Sequence, residues 1–139
     1  MEQFSRTEML FGAENVNKLK NKSVLVLGIG GVGGYVCEAL ARSGVGKIDI
    51  VDNDTVSVSN INRQIIALNS TVGQPKVEVM RKRMLDINSA LNCVAYQIFY
   101  LPESTGEIDF SKYDYIVDAI DTVSGKIALV LEAQRTGTP

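Results

Sequence analysis

The chain has 139 residues, 45% of them hydrophobic and 22% charged, which fits one domain with a sizeable core and excludes intrinsic disorder, collagen and coiled coil. A net charge of −2 removes any whole-chain electrostatic argument for nucleic acid or an anionic membrane. The absence of histidine excludes Ser-His-Asp and Cys-His catalysis and any His-ligated metal within this chain.

In chain order, residues 7–20 carry Met9, Leu10, Val16 and Leu19 at irregular helical spacing with Gly12 interrupting, which predicts one short helix or two pieces. Ser23–Leu27 (SVLVL) is a continuous β-branched and aliphatic run, the pattern of a parallel strand buried on both faces. A glycine loop follows, and residues 35–42 continue as a helix that Gly44 and Gly46 stop. Cys37 falls in that helix and Cys93 lies 56 positions later; with no CxxC they read as small core residues, not a zinc knuckle or disulfide framework. Lys47–Val51 (KIDIV) is a second strand, followed by a single helical turn around residues 60–66 and a helix from Pro75 to about Asn88. Residues 92–99 and 113–119 read as third and fourth strands, separated by a polar, poorly patterned stretch at 102–112. A last helix at 123–135 is expected to turn Ile127, Val130 and Leu131 toward the sheet.

Strands alternating with helices predict a Rossmann-like α/β domain: a mostly parallel sheet with helices on both faces and right-handed crossovers. The chain stops where this architecture expects a turn into another strand, so residues 1–139 are expected to be one nucleotide-binding domain, the N-terminal part of a longer protein truncated before its C-terminal strands. The longest apolar stretch, residues 24–36, is broken by five glycines and falls short of the about 20 residues that span a bilayer. No secretory signal is visible at the N-terminus, which leads to a cytoplasmic expectation and no membrane partner.

The chemistry concentrates at the strand ends. Gly28, Gly30, Gly31 and Gly33 satisfy GxGxxG directly after a buried strand and before a helix, where glycines admit a phosphate chain to backbone N–H groups and the helix N-terminus adds positive charge. Asp52, 24 positions after Gly28 at the end of the second strand, can accept the hydroxyls of an adenosine ribose. Asn60, Arg63 and Lys76 near the same edge suit a triphosphate, whose extra negative charge needs neutralising; Lys76 taken alone also fits a solvated surface position. Asp118 and Asp121 frame the end of the fourth strand, and spacing leaves Asp121 between holding Mg²⁺ on the phosphates and capping the last helix.

Four stretches, GIGGVGG, DNDTVSVSNINRQ, STVGQPK and DAIDT, together resemble the ubiquitin-activating-enzyme-like (ThiF-type) adenylyltransferases through nearly the whole chain. The resemblance implies ATP and Mg²⁺ as ligands, with Asp52 on the ribose, Asp54, Asn60, Arg63 and Lys76 around the nucleotide, Gln64 supporting them and Asp121 on magnesium. It also implies that Arg6, in FSRTEMLFG, reaches the ATP site of the partner subunit of a homodimer, so that Arg6, Arg63 and Asp121 carry the catalysis. Within the family, INRQI and DAIDTVSGK are most similar to the bacterial tRNA threonylcarbamoyladenosine dehydratases, which implies tRNA as the partner, the adenylated carboxylate of a modified adenosine as the chemistry and a link to a cysteine-desulfurase system. The alternative within the family is activation of a ubiquitin-like sulfur carrier. Lys76, Arg81, Lys82 and Arg83 form a basic run that suits either a tRNA edge or the solvated face of a helix. Two other readings compete: an NAD-dependent oxidoreductase, which leaves Asn60, Arg63 and Lys76 unexplained, and a non-catalytic nucleotide-binding module.

Overall fold

A computed structural model describes residues 2–139. Gly12, at φ 80°, splits the N-terminal segment into α1 (Ser5–Phe11) and α2 (Ala13–Lys20), the second of the two expected forms. The remaining elements are β1 (Ser23–Leu27), α3 (Gly33–Ser43), β2 (Lys47–Val51), α4 (Lys76–Ile87), β3 (Ala95–Tyr96), β4 (Tyr115–Asp118) and α5 (Val123–Thr136). The four strands make one parallel sheet in the order β3-β2-β1-β4.

Both faces of the central strands are buried, as the unbroken apolar runs require. Val24 and Val26 of β1, with Ile48 and Ile50 of β2, enter the core under α3 and α4; Leu25 and Leu27, with Val51, enter the core under α5. Each such side chain contributes about 1.5–3 kcal/mol by leaving water, so the register of this pair is strongly fixed. The α5 core is completed by Ile108 and Phe110, from the stretch that reads as poorly patterned, and by Tyr113 just after it; the stretch holds two short 3₁₀ turns, Pro102–Ser104 and Phe110–Lys112. Phe110 and Tyr100 stack at 5.9 Å between ring centroids.

Several boundaries differ from the sequence expectation. The third strand is two residues long, not 92–99, because β3 is an edge strand paired only with β2 and its flanks satisfy their backbone through Lys47 and Asp49 instead of a ladder. The fourth strand is trimmed at both ends, to Tyr115–Asp118, although the Asp114 and Ala119 N–H groups still bond the Ser23 and Leu27 carbonyls of β1. The expected turn at 60–66 begins earlier, as a 3₁₀ turn at Val58–Asn60, and Pro75 stands as the N-cap of α4 outside its first turn. On α5 the residues facing the sheet are Ala128 and Leu129; Ile127, Val130 and Leu131 point outward, so the expected inward placement is corrected. The phase of a helix with apolar residues on several sides is set by which side chains fit the sheet, and small Gly125 and Ala128 allow the closer approach. Among the described residues, no helix is long and apolar enough to cross a membrane.

Candidate functional site

A cavity of about 420 Å³ opens at the carboxyl ends of β1, β2 and β4. Its floor is the β1–α3 loop. Gly28 adopts φ 95°, and a side chain there would strike the backbone of Ala119; a Cβ on Gly33 would strike the carbonyl oxygen of Gly28. These two glycines therefore let the turn, the start of α3 and the end of β4 pack together, which is why Gly33 lies behind the cavity and not on its wall. Gly30 and Gly31 line it, and among the described residues their N–H groups have no acceptor within the chain. With the N-terminus of α3 behind them, they form a cradle for an anion.

Asp52 sits at the end of β2. Its Oδ2 accepts the Ile29 N–H at 2.7 Å and its Oδ1 accepts the Asp54 N–H at 2.8 Å, so the carboxylate is fixed while each oxygen keeps accepting capacity toward the cavity. The loop beyond it is tied to the segment before α4: the Val56 N–H bonds the Gln74 carbonyl at 2.9 Å and the Lys76 N–H bonds the Asp54 carbonyl at 3.0 Å. This pairing brings Lys76 to the wall. Its side chain is only 7% exposed, which overturns the solvated-surface reading, and its ammonium has one counter-ion, the exposed Asp54, at 3.3 Å.

Asn60 does not line the cavity. Its Oδ1 accepts the Ser57 N–H at 3.0 Å and its carbonyl accepts the N–H groups of Arg63 and Gln64, so it builds the turn that presents those two residues. Arg63 reaches the wall with Nη1 bonded to the Ser59 carbonyl and to Asn62 Oδ1, each at 3.0 Å, and its guanidinium has no acid partner. The Gln64 Oε1 is buried without a hydrogen bond. Asp121 lines the cavity and bonds to nothing in the chain; the N-cap of α5 is Thr122, with no side-chain cap, so the structure gives Asp121 no capping role. Asp118 is committed elsewhere, to Lys126 at 2.9 Å.

Two groups of sequence-selected residues are not brought here. Arg6 lies exposed on α1, whose preceding Phe4 packs at Gly44, beyond the far end of the 11-residue α3. Eleven residues of helix span about 16 Å, so Arg6 is outside this cavity. Three of the four basic residues on α4 are engaged: Lys76 is buried, Arg83 pairs with Glu38 at 2.6 Å, and Arg81 bonds the Cys93 carbonyl at 3.3 Å. These partners lie on α3 and before β3, while Lys82 stays exposed. Sequence reasoning missed the wall formed by Ile98, Phe99 and Tyr100; the signal available was an aromatic-rich run at the carboxyl end of an expected strand. Cys37 is buried and its thiol is pushed up by burial, and Cys93, half-buried, is pushed up to about 12 for the same reason, which disfavours the thiolate of both.

The family described as the ThiF family matches residues 4–139. The tRNA threonylcarbamoyladenosine dehydratase of Bacillus subtilis is 48% identical over 139 residues, all of this chain and 55% of that protein. The sulfur carrier protein adenylyltransferase of Thermus thermophilus is 39% identical over 128 residues, 92% of this chain and 47% of that one. Among solved structures, the Escherichia coli tRNA N6-threonylcarbamoyladenosine dehydratase in complex with ATP superposes with a TM-score of 0.96 at 38% identity, covering 99% of this chain and 57% of the other. The chain thus spans about half the length of the curated relatives it matches.

Proposed function

The chain belongs to the ThiF family, and from that premise we propose that it is the nucleotide-binding part of an ATP-dependent adenylating enzyme. The observation that carries the reading is one cavity lined by Asp52, Arg63, Lys76 and Asp121 around two unbonded glycine N–H groups. Asp52 holds the ribose and the glycine cradle, Arg63 and Lys76 hold the triphosphate, with Asp54 and Gln64 beside them and Asn60 building the turn. A substrate carboxylate attacks the α-phosphorus, the bond to the bridging oxygen breaks, pyrophosphate leaves and an acyl-adenylate forms. The attacking carboxylate is already ionised at neutral pH, so no general base is required. Arg63 and Lys76 face the charge that grows on the phosphoryl oxygens, and one such donor contributes about 3 kcal/mol.

Mg²⁺ fits the residues present only as an ion shared with phosphates and water, because among the described residues no three acidic or thiol side chains converge. Asp121, unbonded on the wall, is the residue that would hold it, and the ion would neutralise the triphosphate there. The preferred acceptor is the carboxylate of threonylcarbamoyladenosine in tRNA, supported by 48% identity to a dehydratase of that name over the whole chain against 39% for a sulfur-carrier adenylyltransferase. Arg6, remote from its own cavity, acts on the site of a second subunit in a homodimer.

Titration with Mg-ATP tests the nucleotide half; the chain has 5 tyrosines and no tryptophan, so tyrosine fluorescence reports directly. Saturable Mg-ATP binding that Arg63→Ala weakens is expected, and tight NADH binding with no response to Mg-ATP overturns the reading. In a polypeptide extended to the length of its relatives, pyrophosphate exchange into ATP is expected to fall about 10²–10³-fold in Arg63→Ala, with poor rescue by Lys. Absence of exchange in the unmutated extended protein would leave only a binding module.

A further inference from the structure

Residues 119–122 join β4 to α5, line the cavity and carry Asp121, whose side chain bonds to nothing in the chain. That carboxylate takes its position from the backbone of the loop, so whatever fixes the loop fixes the acid. On the strand side the Ala119 N–H bonds the Leu27 carbonyl at 2.8 Å. On the helix side Gly125 is seated so closely that a Cβ there would lie 2.7 Å from the Tyr100 carbonyl oxygen and 3.0 Å from Ile120 Cδ1.

A third tie crosses the loop from end to end. Asp118, the last residue of β4, accepts at one oxygen, Oδ1, both the Ile120 N–H at 3.3 Å and the Lys126 ammonium at 2.9 Å. The backbone N–H of Lys126 bonds the Thr122 carbonyl at 2.9 Å, so this residue holds the end of the loop by its backbone and the start by its side chain. Lys126 is the fourth residue of α5, near the positive end of the helix dipole, where a cation is disfavoured. Local preference argues against a lysine there, and the pairing with Asp118 supplies the reason for one.

The two side chains are 27% and 42% exposed, and a pair so placed adds little to stability. Neither residue lines the cavity. We propose that Asp118 and Lys126 are positioning residues, which hold the 119–122 loop so that Asp121 faces a cation on the phosphates. The inference rests on the reading of Asp121 as the residue that holds Mg²⁺, and it follows the general rule that contacts behind a ligating group set its orientation.

Two measurements on the whole chain test it. Without any ligand, amide hydrogen exchange at Ile120 is expected to be about 2–5-fold faster in Lys126→Met, the equivalent of one partly exposed ion pair, with the thermal midpoint nearly unchanged. With ligand, tyrosine fluorescence gives the ATP affinity in Mg²⁺ and in EDTA. Lys126→Met is expected to lower the affinity in Mg²⁺ about 10-fold and to leave that in EDTA unchanged, because Arg63, Lys76 and the glycine cradle are untouched. Lys126→Arg, which keeps the charge, is expected to retain the Mg²⁺ affinity. Since the pair acts through Asp121, adding Lys126→Met to Asp121→Asn is expected to change nothing further. Equal losses in Mg²⁺ and EDTA, an unchanged Mg²⁺ affinity, unchanged Ile120 exchange, or additive losses in the double variant each overturn the proposal. Asp121→Asn alone separates the two readings. Loss of Mg²⁺ dependence there beside an unaffected Lys126→Met overturns the pair alone, whereas an unchanged dependence in Asp121→Asn overturns the magnesium reading and the role of the pair with it.

Discussion

Toward the amino ends of the strands, polar groups are saturated by one another. Asp49, 1% exposed in the middle of β2, accepts the Val94 N–H at 2.8 Å and the Tyr113 hydroxyl at 2.6 Å, and meets Lys47 at 3.2 Å, whose ammonium lies 4.9 Å from the centre of the Tyr113 ring. Asp114 is likewise held by Lys22 at 2.9 Å and by the Ser23 N–H at 2.8 Å. At the carboxyl ends of the same strands the reverse holds: Asp121 is unbonded, Gln64 Oε1 is buried without a partner, Arg63 has no acid, and the buried Lys76 rests on one exposed carboxylate. Of the groups without a partner only Gln64 Oε1 is buried, Arg63 and Asp121 being exposed; a buried polar atom without a partner costs about 1–3 kcal/mol and is tolerated where a ligand completes the bonding. The difference marks one edge as scaffold and the other as site, with no reference to residue type.

Substitutions at the two edges should therefore separate stability from binding. Asp49→Ala strips the partner from a buried hydroxyl and a buried N–H and is expected to cost about 3–5 kcal/mol in denaturant unfolding, while Mg-ATP binding well below the transition is retained. Loss of binding with little loss of stability would erase the distinction.

Lys76→Met should do the opposite. The carboxylate it abandons, on Asp54, is 62% exposed, so no buried charge is stranded and stability should change by less than about 1 kcal/mol. Mg-ATP affinity should fall about 10–100-fold, the worth of one charged hydrogen bond, as measured by the same fluorescence titration. A large destabilisation would make Lys76 part of the scaffold.

The smallest expected effect concerns acid. Asp114 is held down to about 2, first by the hydrogen bond from Lys22 and then by the amide and hydroxyl of Ser23. A depressed folded-state value stabilises above the unfolded value of about 3.9 and is lost as pH falls through about 2. The thermal midpoint should thus fall more from pH 4 to pH 2 in the unmutated chain than in Asp114→Asn. Equal slopes would remove Asp114 from the account.

Much of this was legible without coordinates. The boundaries of β1 and β2 follow from their β-branched runs, and Gly28 to Gly33 declare a strand-to-helix turn because only glycine fits its crowded backbone. Asp52 and Asp121 are placed at the ligand edge by strand ends alone. Asp49 was not legible as a buried acid, since KIDIV reads as an ordinary strand and its partners lie 45 and 64 residues away. The same distance effect hid the partners of Arg81 and Arg83, whose neighbours in sequence suggest an open basic face.

The sequence by itself determined the order of strands and helices, the glycine turn and the acids that follow it, because short-range sterics and hydrophobic periodicity act between residues a few positions apart. Only the tertiary structure decided that Lys76 is buried, that Asn60 supports a turn instead of facing the cavity, that Ile127 points outward and that Asp121 is left unbonded. Those outcomes depend on which distant groups share a volume and satisfy one another, and no local pattern encodes that.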